Sequence, residues 1–254
     1  MAGFSDQATG VAGLRVVPHP AVMLVVDIGG SLLVDDGSGS QRRGSMVAGL
    51  APVGAAGHGS QDFECLQVRL SPVVAHAVLG SCGELGGTVV ALEDLWGREA
   101  ERIQERLREA VTWADRFAIA EAALARRKET GRAVDPEVGF AWGQLVASRG
   151  RVRVDRLAAE AGWSRKRLWS RFQSQIGLTP KRAARLVRFD HAARLLAAGH
   201  SAATVAADSG FADQSHLHRD VVEFAGMTPA AMAVTPFLAV DDVAWPDALS
   251  AARA

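Results

Sequence analysis

The sequence is short of cysteine and of long apolar runs, and each shortage excludes a class of protein. Cys65 and Cys82 are the only cysteines among 254 residues, and they lack the spacing of a metal or redox pair. Both are therefore expected to be reduced, buried thiols. No apolar run approaches the roughly 20 residues of a spanning helix, and residues 1–9 lack the basic-then-apolar pattern of a signal peptide. The sequence predicts a cytoplasmic protein that does not enter a membrane.

The motifs of common enzymes are also missing. The sequence contains no Gly-x-Ser-x-Gly motif, no Walker loop and no dinucleotide fingerprint. His19, His58 and His76 are too scattered to form the paired His-x-His plus Glu set of a metal-binding β-barrel. We therefore expect no catalytic site, no metal and no cofactor.

One short motif keeps an enzyme open as an alternative. Asp27-Ile-Gly-Gly-Ser31 follows an apolar stretch and resembles the phosphate-binding hairpin of actin-like sugar kinases. In that interpretation the amides of Gly29 and Gly30 would approach phosphate and Asp27 would hold magnesium. The kinase fold also needs a second Asp-Gly phosphate loop and a parallel α/β scaffold, and the sequence shows neither.

Charge is balanced over the chain but unevenly placed along it. Lys+Arg and Asp+Glu both number 28, yet residues 148–236 carry 14 basic against 7 acidic side chains. Residues 1–147 carry 13 against 18, and residues 237–254 carry 1 against 3. A basic module joined to an acidic remainder is the electrostatic pattern of nucleic-acid binding confined to one part of a chain.

The basic module contains an internal repeat. Three residues recur 49 positions further on, namely Leu168, Gly177 and Pro180 as Leu217, Gly226 and Pro229. The pattern of each copy predicts a short helix, a tight turn and a second helix, in that order. The turn is expected at Gly162 in the first copy and at Gly210 in the second, because glycine easily adopts a positive φ. Two short helices joined in this way form a helix-turn-helix, whose second helix enters the major groove of DNA. A helical protein-interaction module is the alternative, and two copies in phase favour DNA binding.

Side chains with capping ability precede the predicted helices. Asp155 and Ser164 are the candidate N-caps in the first copy, and Ser201 and Asp213 are those in the second. We refer to the second helix of each copy as a recognition helix.

The outward faces of the two recognition helices carry side chains that can contact bases. With Leu168 and Phe172 inward, the first helix presents one polar face made of Arg165, Lys166, Trp169, Ser170 and Gln173. With Leu217 and Val221 inward, the second presents Gln214, Ser215, His216, His218 and Arg219. These groups can donate to base edges or, for the aromatic side chain, contact a thymine methyl. We predict that these side chains, with the exception of Gln173, contact bases, while Arg167 and Arg171 contact phosphates.

A single helix over residues 180–198 is predicted between the copies, with Thr179 as cap and Pro180 at its first position. At ~1.5 Å per residue it spans about 28 Å, which approaches the ~34 Å between successive major-groove faces of B-DNA. One chain could therefore place both recognition helices in neighbouring groove segments. Basic residues near its start suit phosphate contact, which sets position rather than sequence preference: Lys181, Arg182, Arg185 and Arg188.

The second copy contains a long motif made of Gly210-Phe211, Asp213, Ser215, Leu217, Arg219 and Gly226-Met-Thr-Pro229. This motif resembles the signature of AraC/XylS-type transcription regulators, and residues 149–235 resemble the C-terminal DNA-binding domain of that family. The second copy departs from the family at Val221-Val222, where Phe-Lys is usual, so one core residue is smaller and one phosphate cation is lost. The resemblance implies base contacts at Lys166, Trp169 and Ser170, and at the five second-copy residues named above. It also implies promoter DNA and RNA polymerase as partners.

The length of the chain and its changing pattern predict an α+β protein of two domains. Residues 1–14 are expected to be disordered, residues 15–130 to form a small β-rich domain with helices, residues 131–148 to form a linker and leading helix, residues 149–235 to form the double helix-turn-helix, and residues 236–254 to be irregular. Strands are expected over residues 22–26, 31–34, 45–48 and 63–70. By family resemblance, the β-rich domain senses a small-molecule effector or makes a homodimer contact.

Two amphipathic helices are expected at the end of the β-rich domain. Ile103, Leu107 and Val111 lie in register on the first of them, and Thr112 with Asp115 resembles a capping pair for the second. The apolar stripe of the first helix could pair with the second helix or with another subunit.

Overall fold

A computed structural model describes residues 1–6, 14–15, 17–30, 32–35, 41–51, 56–59, 63–80 and 82–234. The strands are β1 (Ala2–Asp6), β2 (Leu14–Arg15), β3 (Val22–Gly29), β4 (Leu32–Asp35), β5 (Gln41–Arg43), β6 (Met46–Ala48), β7 (Ala56–Gly59), β8 (Phe63–Leu70) and β9 (Val89–Ala91). The helices of the N-terminal part are α1 (Pro72–Leu79), α2 (Cys82–Leu85), α3 (Leu92–Trp96), α4 (Arg98–Glu109) and α5 (Trp113–Thr130). The helices that follow are α6 (Pro136–Ala147), α7 (Val154–Glu160), α8 (Arg165–Ile176), α9 (Pro180–Ala197), α10 (Ala202–Asp208), α11 (Gln214–Ala225) and α12 (Pro229–Val234). The α+β class, with strands first and helices last, is confirmed.

The strands form two antiparallel sheets, with the orders β1-β8-β3-β6-β9 and β2-β7-β4-β5. Each strand pair in the described part of the chain is antiparallel. This topology lacks the parallel α/β scaffold of an actin-like kinase. Asp27 is buried, and its backbone carbonyl accepts a hydrogen bond from Gln104 Nε2 at 2.8 Å. The kinase interpretation of Asp27, Gly29 and Gly30 is therefore wrong, because the strands around this segment are antiparallel and Asp27 is buried.

The five-stranded sheet is a middle layer with both faces covered. Leu24, Leu66 and Val68 face a core that includes Trp96 of α3 and Ile103 of α4. The opposite face packs on Val34 of the second sheet through Val25, Met46, Cys65 and Val89. The strand over residues 63–70 is therefore covered on both sides, because consecutive residues Cys65 and Leu66 are both buried.

Burial of Cys65 agrees with the expected inert thiol. Removal from water, followed by the charges of Asp27 and Glu64, raises the pKa of the Cys65 thiol to about 12. The thiolate is thus suppressed at neutral pH. The side chain of Cys82 lies outside the described part.

Part of the segment predicted to be disordered, residues 1–14, is a strand in the structure, while residues 7–13 lie outside the described residues. Residues 2–6 form β1 and pair with β8 in register from Ala2 opposite Gln67 to Asp6 opposite Phe63. This pairing partner lies more than fifty residues away, so local composition did not reveal it. The predicted irregular tail over residues 236–254 lies outside the described residues.

The apolar stripe of α4 is used inside the chain. Ile103 and Leu107 are buried in the same core as the sheet, while Val111 follows the end of α4 and is 92% exposed. The prediction that Val111 continues the stripe is therefore wrong, and Ile103 and Leu107 are not available to another subunit. The capping pair is confirmed, since the Asp115 N–H donates to Thr112 Oγ1 at 3.1 Å.

The N-terminal part rests on the C-terminal half of α8. Helices α1 and α2 both contact α8, and a Cβ added to Gly83 would lie 2.0 Å from the backbone oxygen of Ser174. The linker between the two parts is held by the same helix, because the Asp135 N–H donates to Gln175 Oε1 at 2.8 Å. The described contacts thus connect the β-rich domain directly to the first recognition helix.

His19 gives the stability of the fold a pH dependence. Burial, followed by the charges of Arg69 and Arg194, lowers the pKa of its imidazole from 6.5 to about 3. Between these values the unfolded chain binds one more proton than the folded chain, so the stability due to neutral His19 is present above pH 6.5 and is lost as the pH falls. Acidification from pH 7.5 to 5 should lower the free energy of unfolding by about 2 kcal/mol more in the wild type than in His19→Asn. Urea denaturation at both pH values measures the difference, and equal losses in the two proteins would contradict the role of His19.

Candidate DNA-binding surface

Residues 154–225 contain two helix-turn-helix units of the same construction. The first consists of α7 and α8, the second of α10 and α11, and the turn glycines Gly162 and Gly210 have φ values of +66° and +74°. The residue after each glycine bonds back to the first helix: Trp163 N–H donates to Ala158 O at 2.9 Å, and Phe211 N–H donates to Ala206 O at 2.9 Å. Because this backbone region strongly favours glycine, the two turns require Gly at equivalent positions. The predicted repeat is confirmed.

Side-chain caps set the start of each recognition helix. Ser164 Oγ accepts from Arg167 N–H at 3.2 Å, and Asp213 Oδ1 accepts from His216 N–H at 2.7 Å. Ser201 and Thr179 cap α10 and α9 in the same way. These caps are confirmed as predicted, and they satisfy backbone donors that would otherwise face solvent at the helix start.

Asp155 is not a cap, which corrects the prediction. The cap position of α7 is Arg153, which makes no side-chain capping bond, and Asp155 lies in the first turn of the helix. Its carboxylate still suits the positive end of the helix dipole, and Oδ1 accepts from Arg165 Nη1 at 3.1 Å.

The exposed face of α8 is the predicted one. Leu168 and Phe172 are fully buried, and the side chains opposite them are exposed: Arg165, Lys166, Trp169 and Ser170. Trp169 is 49% exposed, although its size would favour burial in a helix that served packing alone. Lys166 has no ion-pair partner among the described residues. This face therefore offers a cation, an amphipathic ring and hydroxyl or guanidinium donors to a ligand.

The exposed face of α11 is polar and less basic. Gln214, Ser215, His218 and Arg219 are exposed. His216 is half-buried, and its ring meets the Phe211 ring edge-on with centroids 5.4 Å apart. Arg219 Nε donates to Ser215 O at 3.3 Å, which leaves its terminal nitrogens to other partners.

The basic residues predicted to contact phosphate fall into three groups. The first contains exposed cations without an ion-pair partner in the described part of the chain, the second contains exposed arginines that contact a ring or a carboxylate, and the third contains arginines that face inward. Lys181 and Arg182 are exposed at the start of α9, with no ion-pair partner in the described part of the chain. The guanidinium of Arg167 lies over the Trp163 ring at 4.4 Å. Arg171 donates from Nε and Nη2 to the two carboxylate oxygens of Asp135 at 2.7 and 2.8 Å, and this bonding lowers the pKa of Asp135.

Arg185 belongs to the third group, which faces inward. It donates from Nη2 to Asp220 Oδ1 at 2.7 Å and from Nη1 to Glu223 Oε1 at 3.2 Å. Since two carboxylates already occupy this guanidinium, we revise the predicted phosphate contact of Arg185 and assign it to contact with α11. Arg188 likewise faces Asp220 and the ring of Phe211.

Asp220 is the residue of this region whose role sequence reasoning missed. It is almost completely buried on the face of α11 that also carries Leu217, Val221 and Phe224. The helical period could have indicated this, because position 220 falls three residues after Leu217 and four before Phe224. An acid at such a position needs a buried cation as partner.

Within the described residues, no group of three or more His, Cys, Asp or Glu side chains could hold a metal ion. Nor does any helix in that part of the chain combine the length and the apolar character needed to cross a membrane.

Comparison with known proteins identifies the module. A family model described as a helix-turn-helix domain matches residues 157–233. No curated protein matches the sequence of the chain significantly. Among solved structures, ToxT from Vibrio cholerae in its P21 form is similar with 12% identity and a TM-score of 0.51, over 92% of this chain and 97% of that one.

Two further structures of ToxT are also similar. ToxT from Vibrio cholerae O395 has 13% identity and a TM-score of 0.48, with 91% of this chain and 96% of that chain covered. Wild-type ToxT bound to an unsaturated fatty acid has 11% identity and a TM-score of 0.47, with 91% and 94% covered.

The match to a helix-turn-helix domain supports DNA binding by the helical half of the chain. Residues 157–233 of this chain therefore match the helix-turn-helix domain family, and the fold of the chain as a whole is similar to that of ToxT.

Proposed function

We propose that this protein is a cytoplasmic transcription regulator that binds double-stranded promoter DNA in a sequence-specific manner, with α8 and α11 in adjacent segments of the major groove. The observation that carries the proposal is the duplicated exposure of polar side chains on two N-capped helices. The helix between the two units has 18 residues and is about 27 Å long at ~1.5 Å per residue. This length suits two groove segments on one side of a duplex.

The side chains divide into base-contacting and phosphate-contacting groups. The base-contacting group is Arg165, Lys166, Trp169, Ser170, Gln214, Ser215, His216, His218 and Arg219. The phosphate-contacting group is Arg167, Arg171, Lys181 and Arg182. For Arg171, phosphate would replace the half-buried carboxylate of Asp135, an exchange between two anions that both accept two hydrogen bonds from one guanidinium.

The β-rich domain is proposed to modulate this binding through its contact with α8. The family resemblance assigns it a small-molecule effector or a homodimer contact, and assigns RNA polymerase as a further partner of the bound regulator. Sedimentation of the full-length protein with and without its DNA site tests the homodimer.

The experiment that tests the function is selection of bound sequences from random DNA with the full-length protein. The expected result is a site with two short motifs whose centres lie about one helical turn, ~10 bp, apart. No enrichment, together with no retardation of DNA at low salt, would favour a helical protein-interaction module instead.

The three lysines of the chain, Lys128, Lys166 and Lys181, provide a matched set of variants. Lys166→Ala should weaken binding to the selected site by ~1–3 kcal/mol and relax base preference at one position. Lys181→Ala should weaken selected and random DNA alike and reduce the salt slope by about 1, because one phosphate contact is lost. Lys128, exposed on α5 of the other domain, is the control for net charge, and Lys128→Ala should change neither. Gel retardation over a range of salt concentrations measures all three.

Two outcomes would contradict these assignments. Equal losses on selected and random DNA for Lys166→Ala would show that this side chain contacts only the backbone. An effect of Lys128→Ala as large as that of Lys181→Ala would show that the overall charge, rather than a contact at the start of α9, governs affinity.

A further inference from the structure

Asp220 is a buried carboxylate on the otherwise apolar inner face of α11. Leu217, Val221 and Phe224 share this face, and the side chain of Asp220 is only 2% exposed. The equivalent position of the first unit, 49 residues earlier, is Arg171, whose side chain is 50% exposed. The second recognition helix therefore has a buried carboxylate where the first has an exposed arginine.

Two arginines of α9 hold the Asp220 carboxylate. Arg185 donates to Oδ1 from Nη2 at 2.7 Å and from Nε at 3.2 Å, and Arg188 Nη2 lies 3.5 Å from Oδ2. Hydrogen bonding to Asp220, reinforced by Glu223, raises the pKa of Arg185. The Arg185 guanidinium therefore remains charged at every pH at which the protein is folded.

The same two arginines contact aromatic rings at both ends of α11. The guanidinium carbon of Arg185 lies 5.6 Å from the centroid of the Phe224 ring, and that of Arg188 lies 4.6 Å from the centroid of Phe211. Phe211 belongs to the turn before α11 and packs against the base-facing His216. Together these contacts define the rotation of α11 about its own axis relative to α9.

A buried ion pair is a poor source of net stability, because desolvation of the charges offsets most of their attraction. Its contribution here is to fix the rotation of α11 relative to α9. An apolar face such as Leu217 and Val221 tolerates small rotations, whereas a carboxylate oxygen bonded by two nitrogens of one guanidinium does not. Arg219, a proposed base contact, directly precedes Asp220 and would move with any rotation of α11.

We propose that Asp220 is a positioning residue for DNA recognition. By fixing α11 on α9 it sets where Gln214, Ser215 and Arg219 meet the bases of their half of the DNA site. This inference rests on the proposed function and assigns a role in it to a residue that touches no DNA.

The test uses two discrimination ratios, measured by gel retardation with the full-length protein on its selected site. One is the loss of affinity when the half-site contacted by α8 is scrambled, and the other is the loss when the half-site contacted by α11 is scrambled. Footprints of Lys166→Ala and Arg219→Ala identify which half is which. In the wild type each ratio should be about tenfold or more. In Asp220→Ala the α11 ratio should fall below about threefold, while the α8 ratio is unchanged.

A merely structural role would give a different result. Loss of active protein lowers the apparent affinity for every DNA by the same factor, so both ratios would stay at their wild-type values and the proposal would be overturned. Glu223→Gln is the matched control, since Glu223 is the other carboxylate on Arg185 but is 44% exposed, and both ratios should be retained.

A second variant covers the case in which Asp220→Ala does not fold, as judged by circular dichroism and thermal unfolding. Arg185→Lys keeps a cation beside Asp220 but removes the two-nitrogen geometry, and it should lower the α11 ratio alone. Failure of both variants to fold would overturn the proposal, because Asp220 would then serve the fold. If the wild type itself shows no discrimination between sequences, the proposed function fails, and this outcome is distinct from all the others.

Discussion

Replacement of Phe172 by alanine is expected to lower the free energy of unfolding of the DNA-binding domain by about 3–5 kcal/mol. Phe172 is fully buried on the inner face of α8, and its ring centroid lies 6.4 Å from that of Trp142 in α6. The substitution removes the ring from the contact between these helices and leaves a cavity that the surrounding backbone cannot close. Urea denaturation followed by circular dichroism measures the loss.

Phe140→Ala is the control for this experiment. Phe140 is the same residue type in the same domain, on α6, but it is 40% exposed, so its truncation should cost less than about 1 kcal/mol. A comparable loss for the two variants would contradict the placement of α8 and α6 around a shared core. Because α8 also carries Lys166 and Trp169, Phe172→Ala should abolish sequence-specific DNA binding at temperatures where Phe140→Ala retains it.

Gly150→Ala is expected to cost about 2–5 kcal/mol of unfolding free energy, the second largest effect. Gly150 has a φ of +72°, a conformation that costs a residue with a Cβ about 1–2 kcal/mol. A Cβ at this position would also lie 2.1 Å from the backbone oxygen of Ala184 and 2.9 Å from the backbone nitrogen of Arg188. Both atoms belong to the backbone of α9 and cannot rotate away, so overpacking adds about 1–3 kcal/mol.

The control glycine lies seven residues earlier. Gly143 is inside α6, and a Cβ added to it would meet nothing within 4 Å, so Gly143→Ala should raise stability by up to about 1 kcal/mol through helix propensity. Thermal unfolding of the two variants should therefore shift in opposite directions. A Gly150→Ala protein as stable as the wild type would show that the turn before α7 does not press on α9 as described.

The features that the sequence predicted well are those set by contacts between near neighbours. Ser164 and Asp213 cap helices through hydrogen bonds to backbone three residues ahead, and Gly162 and Gly210 adopt a backbone conformation that depends on their own chemistry. Such rules act within one turn of helix, so a single sequence contains them. The same locality explains the error at Asp155, because a shift of two residues in the start of α7 turns a cap into a first-turn acid.

The features that could not be predicted depend on distant segments. Ala2 pairs with Gln67, and Cys65 is buried because a second sheet covers the outer face of its strand. Arg185 resembles a phosphate-binding arginine until the position of Asp220, 35 residues later, is known. Burial of a strand on both faces and long-range ion pairs depend on which elements pack together. Helical or strand periodicity in the sequence carries no information about that packing.

Because Gly83 lacks a Cβ, a displacement of α2 would act directly on the backbone of α8. Backbone meets backbone at this point, with no flexible side chain between α2 and Ser174 to absorb a displacement. Ser174 and Arg165 lie on one helix, nine residues and about 13 Å apart along its axis. A shift of α2 would therefore also move the Arg165 end of α8, because the helix is stiff along its axis.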